Sequence, residues 1–96
     1  MPYEDQFSAL SHPLRQNILH LLTRAPASVG DLTDQLDASQ PVVSQHLKVL
    51  REAGLIRVTP DGMRRIYRIE TDSLEALRHY LQQHWLAALG DLGPKD

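Results

Sequence analysis

The chain has 96 residues, 42% of them apolar, a formal net charge of −2 and no cysteine. That is enough for one domain, and it excludes disulfides, thiolate catalysis, thiol redox sensing and zinc sites built on cysteine. No run of about 18 apolar residues and no basic-then-apolar leader occurs, so the expected location is cytoplasmic, with no membrane partner.

Tyr3, Phe7 and Leu10 recur at helical spacing behind Glu4 and Asp5, which predicts a short amphipathic first helix. Ser11 is the expected cap of the next helix, with Pro13 in its first turn. Leu14, Ile18, Leu21 and Leu22 mark that helix's buried face, and Ala25-Pro26 ends it. Ser28 and Asp31 have the spacing of a capping box, followed by Val29, Leu32 and Leu36 on a helix running to Asp37. Ser39 is expected to cap the next helix, whose second residue is Pro41 and which Gly54 stops. Val43, Leu47 and Leu50 form its apolar stripe. Period two then takes over. Ile56 to Thr59, the turn Pro60-Asp61-Gly62 and Arg64 to Ile69 read as a β-hairpin. Tyr67 and Ile69 are expected to face inward, and Ile66 outward with Arg64 and Arg68. Asp72 and Glu75 suggest a last capping box. It opens a helix striped with Leu74, Leu77, Leu81, Trp85 and Leu89 and closed by Gly90 and Pro94.

Charge is unevenly spread along this order. Residues 1–39 balance to −3, residues 40–70 to +3 and residues 71–96 to −2. A basic middle third on an otherwise acidic chain fits a nucleic-acid face. It coincides with two helices, 28–37 and 39–53, joined by a turn that suits steeply crossing helices. Opposite the Val43 stripe the second of these carries Pro41, Ser44, Gln45, Lys48 and Glu52. Gln45 can pair bidentately with adenine, Ser44 serves base or phosphate, and Lys48 reaches guanine or neutralises a phosphate. Val42, at the margin, suits a thymine methyl. Arg64 and Arg65 near the hairpin tip suit backbone phosphate or the minor groove.

The runs Phe7-Ser8-Ala9-Leu10-Ser11-His12-Pro13-Leu14-Arg15, Val29-Gly30-Asp31-Leu32 and Val43-Ser44-Gln45-His46-Leu47-Lys48-Val49-Leu50-Arg51-Glu52-Ala53-Gly54-Leu55-Ile56 resemble the ArsR/SmtB group of winged-helix repressors. The resemblance spans about residues 6 to 90. It implies a dimer joined by its first and last helices, an imperfect inverted-repeat operator, and release by an inducer that is often a metal ion. His46 has a counterpart near DNA in that group; here it either meets a base edge or phosphate or packs beside Leu47.

Two departures bear on the inducer. Metal-responsive members carry Cys-Val-Cys-Asp-Leu where this chain has Ser28-Val29-Gly30-Asp31-Leu32, so the thiolate site is absent. Other members bind zinc through Asp and His on the last helix. Asp72, Glu75, His79 and His84 lie there, but His79 and His84 are about 140° apart around the axis. The Glu75–His79 spacing also describes an ordinary exposed pair. Neither a cofactor nor a metal site is expected, and no effector is legible.

The expected fold is therefore mainly α with one β-hairpin, a winged helix-turn-helix in the order α-α-α-α-β-β-α. It forms one domain over 1–96, with the helix-turn-helix at about 28–53, the wing at about 56–69 and terminal helices at about 3–10 and 72–89 for dimerisation. The expected activity is sequence-specific binding of a double-stranded operator by a homodimeric repressor. DNA contacts fall to Ser39, Gln40, Pro41, Val42, Ser44, Gln45, His46, Lys48, Arg64 and Arg65. Dimer contacts fall to Tyr3, Phe7, Leu10, Leu77, Leu81, Trp85 and Leu89, whose stripes exceed what one small core covers. No Gly-rich phosphate loop, nucleophile elbow or His-Glu-x-x-His motif occurs, so the chain is not expected to be an enzyme. Two other readings stay open: a protein-interaction module without DNA binding, and a metal sensor using the last-helix His and Glu residues.

Overall fold

Prolines and glycines set where the elements begin and end in the computed structural model, which describes residues 3–86. The order is α1 (Glu4–Leu10), α2 (Pro13–Arg24), α3 (Val29–Gln35), α4 (Gln40–Glu52), β1 (Ile56–Asp61), β2 (Arg64–Ile69) and α5 (Thr71–Leu81), continued by a π-helical turn, Gln82–Leu86. Leu89, Gly90 and Pro94 lie outside the described residues. This is the winged helix-turn-helix order expected from the sequence.

Pro13 is the first residue of α2 and forces the residue before it into extended backbone. His12 is therefore the cap, at φ −101° and ψ 127°, and its Nδ1 accepts the Leu14 N–H at 3.1 Å. Ser11 is not the cap; it closes α1 instead, its hydroxyl donating to the Ser8 carbonyl at 2.6 Å. The capping box of α3 forms as expected. Asp31 N–H donates to Ser28 Oγ at 3.1 Å, and Ser28 N–H donates to Asp31 Oδ2 at 3.3 Å. The helix ends at Gln35, short of Asp37, because Leu36 turns extended at ψ 151°.

Ser39 occupies the cap position of α4, yet its side chain makes no capping bond. A capping oxygen serves the N–H of the second or third helical residue, and Pro41 has removed the first of these. At the other end Gly54, at φ +77°, passes the chain out. Gly54 N–H donates to Arg51 O at 2.9 Å and Leu55 N–H to Leu50 O at 3.0 Å, the paired bonds of a Schellman ending.

The hairpin pairs Ile56 with Ile69 through to Asp61 with Arg64. Its connection is Gly62-Met63, with Gly62 at φ +64°; Pro60, expected in the turn, lies within β1. An antiparallel bridge between Ala27 and Tyr67 lays the segment before α3 beside β2. Ile66 is buried, contrary to the outward placement expected, while Tyr67 and Ile69 are half-buried. Neighbouring strand residues point to opposite faces, so the hairpin is covered on both. The expected Asp72–Glu75 box is also absent. Glu70 N–H is taken by Leu55 O at 2.9 Å and Glu70 O already accepts Leu74 N–H, which starts α5 at Thr71 and leaves Glu75 to pair with Arg78.

The core gathers Ile18 of α2, Leu32 of α3, Val43, Leu47 and Leu50 of α4, and Leu55 beyond it, all fully buried. Leu10, Leu14, Tyr67, Ile69 and Leu74 pack around it. Leu47→Ala is expected to lower unfolding stability by about 2–5 kcal/mol, a large part of the roughly 5–15 kcal/mol a domain possesses. Urea denaturation followed by circular dichroism measures this; a loss below about 1 kcal/mol would remove Leu47 from the core.

Candidate nucleic-acid interface

Because the Val43–Leu47–Leu50 stripe is wholly buried, the opposite face of α4 has to lie outside. Ser39, Gln40, Pro41, Val42, Ser44, Gln45 and Lys48 are all exposed there. Val42 keeps 44% of its surface in water, unusual for an aliphatic residue here. The face thus offers an amide, a hydroxyl, an ammonium and one apolar contact within three helical turns. Apart from Arg64 and Arg78, no basic side chain among the described residues is held in an ion pair. Lys48, Arg51, Arg57, Arg65 and Arg68 keep their charge for solvent or a ligand.

His46 departs from this face. Its Nδ1 lies 3.2 Å from Arg15 Nη1, and its ring sits 4.4 Å from that of His12. Arg15 is held in turn by the carbonyl of Ala9, at 2.6 Å from Nε, and that of Ser8, at 3.3 Å from Nη2. The half-buried imidazole is therefore packed toward the α1–α2 junction. Desolvation, then the neighbouring His12 and Arg15, hold its pKa below the ordinary histidine value of 6.5.

The wing places Arg64 and Arg65 beside its two-residue tip, where Met63 is fully exposed. They are not equivalent. Arg64 Nη2 donates to Asp31 Oδ2 at 2.6 Å and to Ser28 Oγ at 3.0 Å. Between α3, α4 and the wing lies an open cleft of about 380 Å³, lined by Ser28, Val29, Ser44, Met63, Arg64, Arg65 and Tyr67. No local pattern signals the Asp31–Arg64 pair, since its partners stand on different elements 33 residues apart.

The second expected surface is drawn partly together within the chain. Tyr80, which the leucine stripe did not include, lies 4.7 Å from Tyr3, 6.5 Å from Phe7 and 5.5 Å from Trp85 between ring centres, and Phe7 lies 6.1 Å from Trp85. Leu77 is buried, Leu10 packs on the core and Leu81 is half-buried. Trp85 remains 44% exposed. Of the last-helix metal candidates, Glu75 is engaged by Arg78, His84 stacks 4.4 Å from Tyr80, and Asp72 and His79 are exposed. Among the described residues no three His, Asp or Glu side chains converge to hold a metal ion, and no helix is long and apolar enough to cross a membrane.

The sequence profile of a helix-turn-helix domain family matches residues 10–59. The chain is 42% identical over 83 residues to the HTH-type transcriptional regulator Rv2034 of Mycobacterium tuberculosis, covering 86% of this chain and 78% of that protein. It is 38% identical over 68 residues to the biofilm growth-associated repressor of Agrobacterium fabrum, covering 71% of this chain and 58% of the relative. Among solved structures, an ArsR-like transcriptional regulator from Rhodococcus sp. RHA1 superposes with a TM-score of 0.78 at 28% identity, over 96% of this chain and 92% of that one.

The His46 environment has a consequence for pH. A folded pKa below the unfolded 6.5 means that the unfolded chain takes up the proton first. The stabilisation is complete above that value and is lost as pH falls through the lowered folded pKa. Asp31 and Glu75 are shifted downward from already acidic values, so they do not titrate in the same window. Urea midpoints taken between about pH 7 and about pH 5 should fall in the wild type and fall less in His46→Gln. Parallel profiles would show that His46 is not disfavoured as a cation.

Proposed function

The chain belongs to the ArsR/SmtB family of winged helix-turn-helix transcription regulators, and from that premise we propose how this DNA-binding repressor uses its two faces. Two copies pair through α1 and α5 and grip an inverted-repeat operator, each inserting α4 into a major groove. The carrying observation is the division of α4. A fully buried apolar stripe fixes its rotation, and Ser44, Gln45 and Lys48 are presented together on the outside.

In this arrangement Gln45 reads a base edge, Ser44 serves base or phosphate, and Lys48 meets phosphate or guanine. Ser39, Gln40 and Pro41 approach at the helix start, Val42 meets a thymine methyl, and Arg64 and Arg65 of the wing engage the flanking backbone. His46 contributes by fixing α4 against Arg15 and His12 rather than by reaching DNA. A two-fold operator needs the recognition helices about 34 Å apart, one turn of duplex. Pairing through the terminal helices covers Trp85, whose exposed ring lies at the edge of the Tyr3–Phe7–Tyr80 cluster.

Gln45→Ala should weaken operator binding by about 1–3 kcal/mol and leave binding to a scrambled duplex nearly unchanged. Fluorescence anisotropy on both duplexes decides the matter, since equal losses would deny Gln45 a base contact. The dimer is tested separately by sedimentation equilibrium. Trp85→Ala should weaken self-association by at least about 2 kcal/mol, and a monomeric wild type that still binds its operator tightly would end the paired model.

A further inference from the structure

Two adjacent arginines stand at the wing tip, and only one of them is occupied. Arg65 has no ion-pair partner among the described residues. Arg64 holds two oxygens at the start of α3 with a single nitrogen, Asp31 Oδ2 at 2.6 Å and Oγ of the cap Ser28 at 3.0 Å. The polar side chains lining the cleft beside them are the guanidinium groups of Arg64 and Arg65, the hydroxyls of Ser28 and Ser44, and the Tyr67 phenol. No carboxylate lines it. A donor-rich cleft of this kind fits a phosphate oxyanion, and Ser44 makes the exposed face of α4 one of its walls.

We propose that this cleft seats a DNA backbone phosphate, and that Asp31 stands in for that phosphate on Arg64 until DNA arrives. The inference rests on the reading that α4 enters the major groove. It adds a defined phosphate position and an internal competitor for it. The pair is suited to exchange, because both side chains are about half exposed, at 56% and 51%, and exposed pairs of this kind are weak. Neither α3 group is stranded when Arg64 leaves. Asp31 Oδ2 keeps the Ser28 N–H, and Ser28 Oγ keeps the Asp31 N–H. The capping box serves as the latch's resting position. Asp61, which faces Arg64 across the hairpin register, is the other carboxylate near the wing end; no ion pair joins the two side chains.

Asp31→Asn retains an oxygen for the Ser28 N–H and removes the charge that competes for Arg64. It should tighten binding to operator and scrambled duplexes alike, by roughly two- to fivefold per subunit. Arg64→Ala should reduce the slope of log K against log salt by about 0.9 per subunit. In the Arg64→Ala background the Asp31→Asn gain should disappear. A gain that persists there would be general charge relief, and no gain in either background would make the pair a permanent strut; either result overturns the latch.

A second measurement does not depend on the variants' stability. The Asp31 carboxyl carbon resonance of the wild type should move on adding duplex toward its position in free Arg64→Ala protein. A resonance that stays in place in a saturated complex overturns the exchange. Inorganic phosphate at the same phosphate concentration should leave it unmoved, and an equal shift would assign the seat to a free anion instead of a DNA strand. A wild type that binds no duplex at all would defeat the DNA-reading proposal itself. Normal operator binding with Gln45-dependent discrimination and a fixed Asp31 resonance would defeat only the latch.

Discussion

Helix α4 belongs to the core and to the surface at once, and most of the molecule exists to hold it that way. Val43, Leu47 and Leu50 have no solvent exposure, so a rotation about the helix axis would bring apolar side chains into water and polar ones into the core. Each fully buried aliphatic side chain resists this by about 1.5–3 kcal/mol. The orientation of Ser44, Gln45 and Lys48 follows without any contact of their own. A face fixed from behind can leave its outward groups unpartnered, as the proposed base-reading role requires.

The C-terminal end of α4 is held as well as its inner side. Ala53 O accepts the Gln6 amide from α1 at 2.8 Å, and the Schellman bonds tie Gly54 and Leu55 to the helix's last turn. Leu55 O then takes the Glu70 N–H that starts α5. Both terminal helices are thus tied to the last turn of α4 or to the turn that ends it.

The parts of this arrangement legible in the sequence were those set by period and punctuation. The Val43 stripe, the Ser28–Asp31 box, Gly54 as a stop and the hairpin strands all follow from spacing along one element. The misses came where two local rules competed or where distant segments met. Ser11 looked like a cap, but Pro13 moved that role to His12. Glu75 had the spacing of a capping-box partner, but docking of Glu70 on Leu55 displaced the helix start. Ile66 broke the alternation because the hairpin is covered on both sides, which a two-state inward-or-outward pattern does not encode. The Asp31–Arg64 pair and the place of Tyr80 between Tyr3, Phe7 and Trp85 are tertiary facts with no local signature. At the site, the polar face of α4 was readable from the helical wheel, whereas the inward turn of His46 depended on Arg15, 31 residues away.

Pro60 carries a consequence of its own. The Ala27 bridge covers β2 on its outer side, so β1 is the edge of the sheet among the described residues. An edge strand is a template on which another chain can extend a sheet. Proline at position 60 removes one donor from that edge, and the exposed Arg57 adds a charge to it. The strand most apt to recruit a neighbour indiscriminately is thus blunted by its own sequence.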